Sequence, residues 1–230
     1  MENWKDAFME YTSPDVLTDR LHGILASSRE ERHRNGCYTW SEINETLDLI
    51  EANKGQSMAD FIRDGMNYKF RTVEEARREF LGGVKAVCGM HGGQVLNADI
   101  MPSLEIVVGD CLVTGTHQSL RHVTGGLSVD GPSALDSLRF VGGDLALGAP
   151  CEATALKQVG GTVRIGDAAA HLSPDLSSRN AFSLEGVSFS ELPEDTKTAA
   201  RRNRSRKFYR DFDKTYPNNE LSRKSLLKVK

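Results

Sequence analysis

The sequence predicts an α+β protein: a helical N-terminal region, a parallel β-solenoid of short repeats, and a C-terminal helix. Three observations carry that prediction. Residues 119–131, 137–149 and 155–167 read SLRHVTGGLSVDG, SLRFVGGDLALGA and ALKQVGGTVRIGD, placing Leu120, Leu138 and Leu156 at 18-residue intervals. The hydrophobic period changes after Gly83 from helical to alternating. Charge is also partitioned along the chain, at −4 over residues 1–95, −8 over 96–195 and +9 over 196–230.

The expected division is 1–83 helical, 84–192 solenoid and 193–230 basic C-terminal helix and tail. In the first part, Ser13-Pro14-Asp15 supplies an N-cap, a first-turn proline and an early acid. Val16, Leu17, Leu21, Ile24 and Leu25 then share one face as far as Asn35-Gly36. Thr39 with Glu42 makes a capping box ahead of Trp40, Ile43, Leu47 and Ile50. Ser57 with Asp60 and Thr72 with Glu75 open two more helices, ending near Gly65 and at Gly82-Gly83.

In the second part the alternation of Leu145 and Leu147 with smaller or polar neighbours makes a short strand, as do Leu127 with Val129 and Val163 with Ile165. Inward positions at 95, 112, 127, 145, 163 and about 183 give about six rungs. One rung alone leaves an apolar face and unpaired backbone, and stacking the next about 4.8 Å away satisfies both. Leu127, Leu145 and Val163 are thus expected as one buried column, with Ser128, Ala146 and Arg164 outside. Gly142-Gly143 and Gly160-Gly161 are expected at bends needing positive φ. No GxGxxG opens a helix after a strand, which argues against a dinucleotide site.

The units LRFVGGDLALGA and LKQVGGTVRIGD resemble the short leucine-rich-like repeats of bacterial proteins, approximately Leu-Lys-x-Val-Gly-Gly-x-Leu-x-Ile, over about residues 92–190. That resemblance implies a leucine-rich-like parallel β-solenoid serving as a binding scaffold, and it carries no catalytic motif. The 15-residue unit between Leu112 and Leu127 departs from the pattern.

The third part opens at Leu192-Pro193-Glu194-Asp195 and continues through an arginine-rich stretch toward Pro217, the expected stop.

Composition is that of an ordinary globular chain, 39% hydrophobic and 27% charged. With no apolar run near the roughly 20 residues of a membrane span and no secretory leader pattern, the expected location is cytoplasmic. The four cysteines form no CxxC pair, so buried free thiols are expected. The sharpest chemical candidate is Cys88-Gly-Met-His91, with Cys111 and His117 one rung on, as an enzyme or metal site. A thiolate needs a nearby base, and a metal needs several such ligands.

Two basic features stand out. Arg121, Arg139 and Lys157 hold one position in three successive rungs, with Asp130, Asp136 and Asp144 as candidate counter-charges. Arg201, Arg202, Arg204, Arg206, Lys207 and Arg210 cluster within ten residues beside Phe208, Tyr209 and Phe212. These residue types suit carboxylate or phosphate partners. The expected function is a non-enzymatic interaction module, an inhibitor, adaptor or assembly component, binding a protein through the solenoid surface and the basic C-terminal segment. No catalytic residue, metal or cofactor is expected. The alternatives are a nucleic-acid binder using the C-terminal arginines, and the Cys/His site at Cys88 and His91.

Overall fold

The computed structural model describes residues 27–52, 72–90, 95–97 and 99–215, the last eleven of these as backbone only. The chain opens with α1 (Arg29–Arg34), β1 (Cys37–Thr39), α2 (Trp40–Ala52) and α3 (Val73–Gly82). The solenoid then winds through β2 (Ala86–Met90) and β3 (Val95–Asn97), β4 (Ile106–Gly109) and β5 (Cys111–Thr116), and β6 (His122–Val123) and β7 (Leu127–Ala134). It continues through β8 (Phe140–Val141), β9 (Leu145–Leu147) and β10 (Cys151–Ala153), then β11 (Gln158–Val159), β12 (Val163–Ile165) and β13 (Ala170–Leu172). After β14 (Ser177–Ser178) and β15 (Ser183–Leu184), a 3₁₀ turn over Phe189–Glu191 leads into α4 (Glu194–Thr215).

All strand pairings are parallel. They build three walls around about five turns. The first wall runs β1-β2-β4-β6-β8-β11-β14. The second stacks β3, β5, β7, β9, β12 and β15, and the third stacks the ends of β5 and β7 with β10 and β13. Strand β7 belongs to two walls, its first half paired with β9 and its second with β10.

Inside the prism the expected column stands: Leu127, Leu145 and Val163 are buried in consecutive register, with Ser128, Ala146 and Arg164 facing out. The corner leucines extend beyond the three repeats that announced them. Leu104, Leu120, Leu138, Leu156 and Leu176 are all buried, one per turn.

The expected register fails at the less regular rungs. Val95 is 49% exposed, and Leu96 takes the inward place, paired with Val113 rather than Leu112. Where two apolar residues adjoin, alternation does not say which points inward, and a slip of one reverses the strand. The short unit also has a physical account. Strand β5 turns from Val113 to Gly115 in two residues where β7 uses four, from Val129 to Ser133, and Gly115 takes φ 84° at that tight corner.

The glycine pairs serve a different purpose from the one expected. Gly142, Gly143, Gly160 and Gly161 do not have positive φ. A Cβ on Gly142 would sit 2.0 Å from the Thr124 carbonyl oxygen, and one on Gly160 would sit 2.0 Å from the Gly142 carbonyl oxygen. Glycine is required there because each turn rests backbone on backbone.

At the N-terminal end both capping boxes form as read. Thr39 N–H donates to Glu42 Oε2 at 2.8 Å and Glu42 N–H to Thr39 Oγ1 at 3.2 Å, and Thr72 and Glu75 do likewise. Helix α3 ends at Gly82. Two differences appear. The helix expected from Ser13 to Asn35 does not pass through residue 28, because Ser28 caps a separate short helix with its side chain accepting from Glu31 N–H; the earlier part of that expectation, residues 13–26, lies outside the described residues. Residues 37–39, in the stretch read as helical, form a strand that extends the first wall. The helix expected from Ser57 lies outside the described residues. None of the described helices is long and apolar enough to cross a membrane.

Candidate functional site

The basic ladder is set at the corner where each turn enters the first wall. Arg139 N–H donates to the Arg121 carbonyl and Lys157 N–H to the Arg139 carbonyl, both at 2.9 Å, so the three residues hold equivalent places in successive turns. Two more residues share the column: Arg121 N–H donates to the Glu105 carbonyl and Glu105 N–H to the Lys85 carbonyl, both at 2.8 Å. The column therefore reads Lys85, Glu105, Arg121, Arg139, Lys157 at strand spacing of about 4.8 Å. Arg139 and Lys157 are exposed, and Arg121 is half-buried.

His122 lies beside this column, buried against Phe140 with ring centroids 6.5 Å apart. Burial, reinforced by the charges of Arg121 and Arg139, holds its pKa down at about 4, so the ring is neutral near pH 7. Of the carboxylates expected to offset the ladder, Asp144 is placed otherwise. Asp144 accepts from Thr162 N–H at 2.8 Å and pairs with Arg164 at 3.1 Å, on the second wall.

The described part of α4 lies across the last turn. Thr196, Ala199 and Asn203 form its buried stripe, continued by Leu192 just before the helix. Thr196 Oγ1 donates to the Ala170 carbonyl at 2.7 Å and accepts from Leu172 N–H at 3.0 Å. Asn203 Oδ1 accepts from Ser178 N–H, and its Nδ2 donates to the Leu176 carbonyl, both at 2.8 Å. Two side chains thus supply what a further rung would have supplied to β13 and β14, closing an edge that would otherwise present unpaired backbone.

The described arginines of α4 fall on its other sides. Arg202 pairs with Asp175, and Arg201 lies over the Phe189 ring at 5.2 Å. Arg204 is exposed. Arg206, Lys207 and Arg210 belong to the same helix, and their side chains lie outside the described residues. The sequence reading missed Thr196 and Asn203. Their signal was two polar residues on the apolar stripe of a helix, at 4-3-4 spacing with Leu192 and Ala199.

The described members of the Cys/His grouping are not brought together. Cys88 shares the outward side of the first wall with Cys37, Sγ to Sγ 3.9 Å, whereas Cys111 points into the core between the walls. His117 Nε2 lies 3.2 Å from the Leu96 carbonyl, and burial pushes that ring's pKa down. His91 lies outside the described residues. Burial pushes the thiols of Cys111 and Cys151 up to about 12, leaving both protonated and poorly nucleophilic near pH 7. Among the described residues no three His, Cys, Asp or Glu side chains converge as a metal site would require.

The N-terminal helices carry a charged cluster of their own. Arg32 grips Glu42 with two hydrogen bonds, at 2.8 and 2.9 Å. This fork, with the Thr39 N–H, holds the Glu42 carboxyl down at about 2. His33 Nε2 lies 3.4 Å and Arg29 Nε 3.5 Å from the same carboxylate. Every group in the cluster has a partner on a neighbouring element, which suits tying α1 to α2.

The fold and the ladder together define a three-walled parallel β-solenoid with one basic corner and a helix closing its C-terminal end. No family model, no curated protein and no solved structure matches this chain. Among the described residues the turns are built from strands and their connections, whereas the unit of leucine-rich repeats pairs a strand with a helix or 3₁₀ segment.

Proposed function

We propose that this protein is a non-enzymatic binding module that holds an acidic segment of a protein partner against its basic corner, with the arginine-rich helix as a second cationic element. The observation that carries this reading is the in-register stacking of Arg121, Arg139 and Lys157 on a hydrogen-bonded frame. A frame of paired strands fixes the Cα positions of its cations, so little ordering of the backbone is needed when a partner binds. Carboxylates three or four residues apart on a helix lie about 5–6 Å from one another, close to the spacing of the corner. The cations of α4 between Arg201 and Arg210 add long-range attraction that speeds encounter and weakens with salt.

The test is charge reversal at the exposed pair, Arg139→Glu with Lys157→Glu, with binding to polyglutamate measured at low and moderate salt. At low salt the variant should bind at least tenfold more weakly at an unchanged melting temperature, and the difference should shrink as salt rises. Unchanged binding alongside a collapsed melting temperature would make the corner structural. If random single-stranded RNA binds the native protein more tightly than polyglutamate, and loses binding on reversal at Arg201, Arg202 and Arg204, the nucleic-acid reading replaces this one.

A further inference from the structure

Of the four cysteines, only Cys37 and Cys88 lie within reach of each other. They stand on the neighbouring strands β1 and β2, whose parallel register sets Cys37 beside Ala86 and Thr39 beside Cys88. Positions two apart on a strand share a face, so both sulfurs project from the outward side of the first wall, 3.9 Å apart. A disulfide holds its sulfurs at about 2.05 Å, so about 2 Å of travel, shared between two side chains, joins them. Cys111 and Cys151 line the core on the second and third walls, where burial keeps both thiols protonated. The surroundings of the pair differ. Arg32, in the last turn of α1, brings its positive charge to bear on both sulfurs. Two of its nitrogens go to Glu42, and its Nε is buried without a hydrogen bond among the described residues. A hydrogen bond from the Cys88 thiol, with the charge of Arg32, brings Cys37 below the ordinary thiol value although burial opposes both. The proton is retained by Cys88, whose own value rises through that bond and through burial.

We propose that Cys37 and Cys88 are a site of reversible oxidation by a peroxide, and that the resulting disulfide fastens the end strand β1 to the solenoid. With hydrogen peroxide, the Cys37 thiolate attacks one oxygen: the S–O bond forms, the O–O bond breaks, and hydroxide leaves, taking up the proton that Cys37 had released. Cys88 then attacks the sulfur of the Cys37 sulfenic acid. The S–S bond forms, the S–O bond breaks, and the departing hydroxide takes the Cys88 proton as a second water. Two thiols are oxidised and one peroxide is reduced to two waters. Return to the dithiol takes a thiol reductant, by exchange. A peroxide suits the site because each cysteine is only 2% exposed, which favours a small oxidant over a bulky disulfide. Fastening follows from topology: β1 is the outermost strand of the first wall, and its cysteine lies 51 positions from its partner, so the bridge closes a loop containing α2 and α3. The inference does not depend on what the basic corner binds.

The experiment treats the reduced full-length chain with hydrogen peroxide for long enough to oxidise free cysteine completely. The chain is then denatured, its remaining thiols are capped with N-ethylmaleimide, and the digest is mapped by mass. The expected product carries caps at Cys111 and Cys151 alone and yields one peptide pair joining Cys37 to Cys88, which dithiothreitol separates. Four capped thiols, a different pairing, a disulfide between two chains, or sulfinic acid at Cys37 beside a capped Cys88 would each overturn the proposal. Dimedone, which labels sulfenic acid, tests the order of attack: Cys88→Ser should take up label at Cys37 roughly tenfold faster than Cys37→Ser does at Cys88. Equal labelling would overturn the assignment of Cys37 as the attacking sulfur. The oxidised chain should also melt several degrees above the reduced one, a rise that Cys37→Ser abolishes. A melting temperature unchanged or lowered by oxidation would show that the bridge does not fasten β1.

Discussion

The two ends of the solenoid face the same difficulty and meet it by different chemistry. At the N-terminal end a true strand is added: β1 pairs with β2 in register, and Gly36 supplies its carbonyl to Lys85 and Ala86 N–H at 2.8 and 3.1 Å. Helix α2 then packs behind it, with Ile43 in the core and Glu42 held by Arg32. At the C-terminal end no strand among the described residues covers β13 and β14, and a helix crosses them with the hydroxyl of Thr196 and the amide of Asn203 bonded to their backbone. An open sheet edge requires donors and acceptors at the right places, and a strand is only one way of supplying them. The strand spreads the task over many backbone groups, whereas the helix concentrates it in two side chains.

The middle of the stack sets the scale for testing that contrast. Leu145 is buried with equivalents above and below, and Leu145→Ala should lower the unfolding free energy by about 2–5 kcal/mol through lost contact and cavity. Chemical denaturation measures it, and a loss below about 1 kcal/mol would mean that the column does not carry the fold.

Asn203→Leu should cost about 2–4 kcal/mol, since it strips partners from both Ser178 N–H and the Leu176 carbonyl in a buried setting. The damage should be local. Hydrogen exchange at the Ser178 amide should accelerate far more than at Val141, and equal acceleration at both would contradict a cap acting on the last turn alone. The matching change at the other end, Glu42→Gln, should cost less, about 1–2 kcal/mol. Glutamine keeps the capping geometry and loses the ionic part of the Arg32 fork, and the strand pairing of β1 stays intact. Should Glu42→Gln prove the more damaging of the two, the contrast between the ends is wrong.

Acid supplies the finest distinction. The His122 ring sits at about 4 in the folded chain against an ordinary 6.5, so the unfolded chain takes up a proton first. Its contribution is complete above the ordinary value and is lost as pH falls from there toward 4. The Glu42 carboxyl sits at about 2 against an ordinary 4.5, and its contribution is lost only between those lower values. Between about pH 7 and about pH 5.5, His122→Phe should remove about 1 kcal/mol of the pH-dependent loss of stability, while Glu42→Gln leaves that window unchanged. Parallel curves for the native chain and His122→Phe would show that the first wall does not bury a neutral ring.

Much of this was legible wherever the chain repeats strictly. The 18-residue spacing located the Leu127, Leu145 and Val163 column and the ladder of Arg121, Arg139 and Lys157, because identical neighbours in sequence become identical neighbours in space. Capping boxes at Thr39 and Thr72 were legible because their chemistry is local. Three strands per turn were not, since two-residue strands such as His122–Val123 are too short to show alternation. The register at Val95 and Leu112 was ambiguous for want of a polar neighbour, and Ser28 was hidden as a helix start inside a longer apolar pattern. Thr196 and Asn203 read as ordinary polar helix residues because their partners lie more than twenty positions upstream. The sequence displayed the basic corner, but nothing local to it specifies what would approach it.

The contact of one turn's glycine on the backbone of the turn before has a bearing on how such a chain could change over time. Since Gly160 meets Gly142 as Gly142 meets Thr124, residues 138–155 present above themselves nearly the surface they rest upon. A duplicated copy of that stretch would find complementary neighbours on both sides and lengthen the prism by one storey, carrying one more cation at the corner. Loss of a copy would shorten it by the same step. Reach along the basic corner is in this way a heritable quantity that changes by whole units, and the two end closures, which touch only the outermost turns, leave it free to vary.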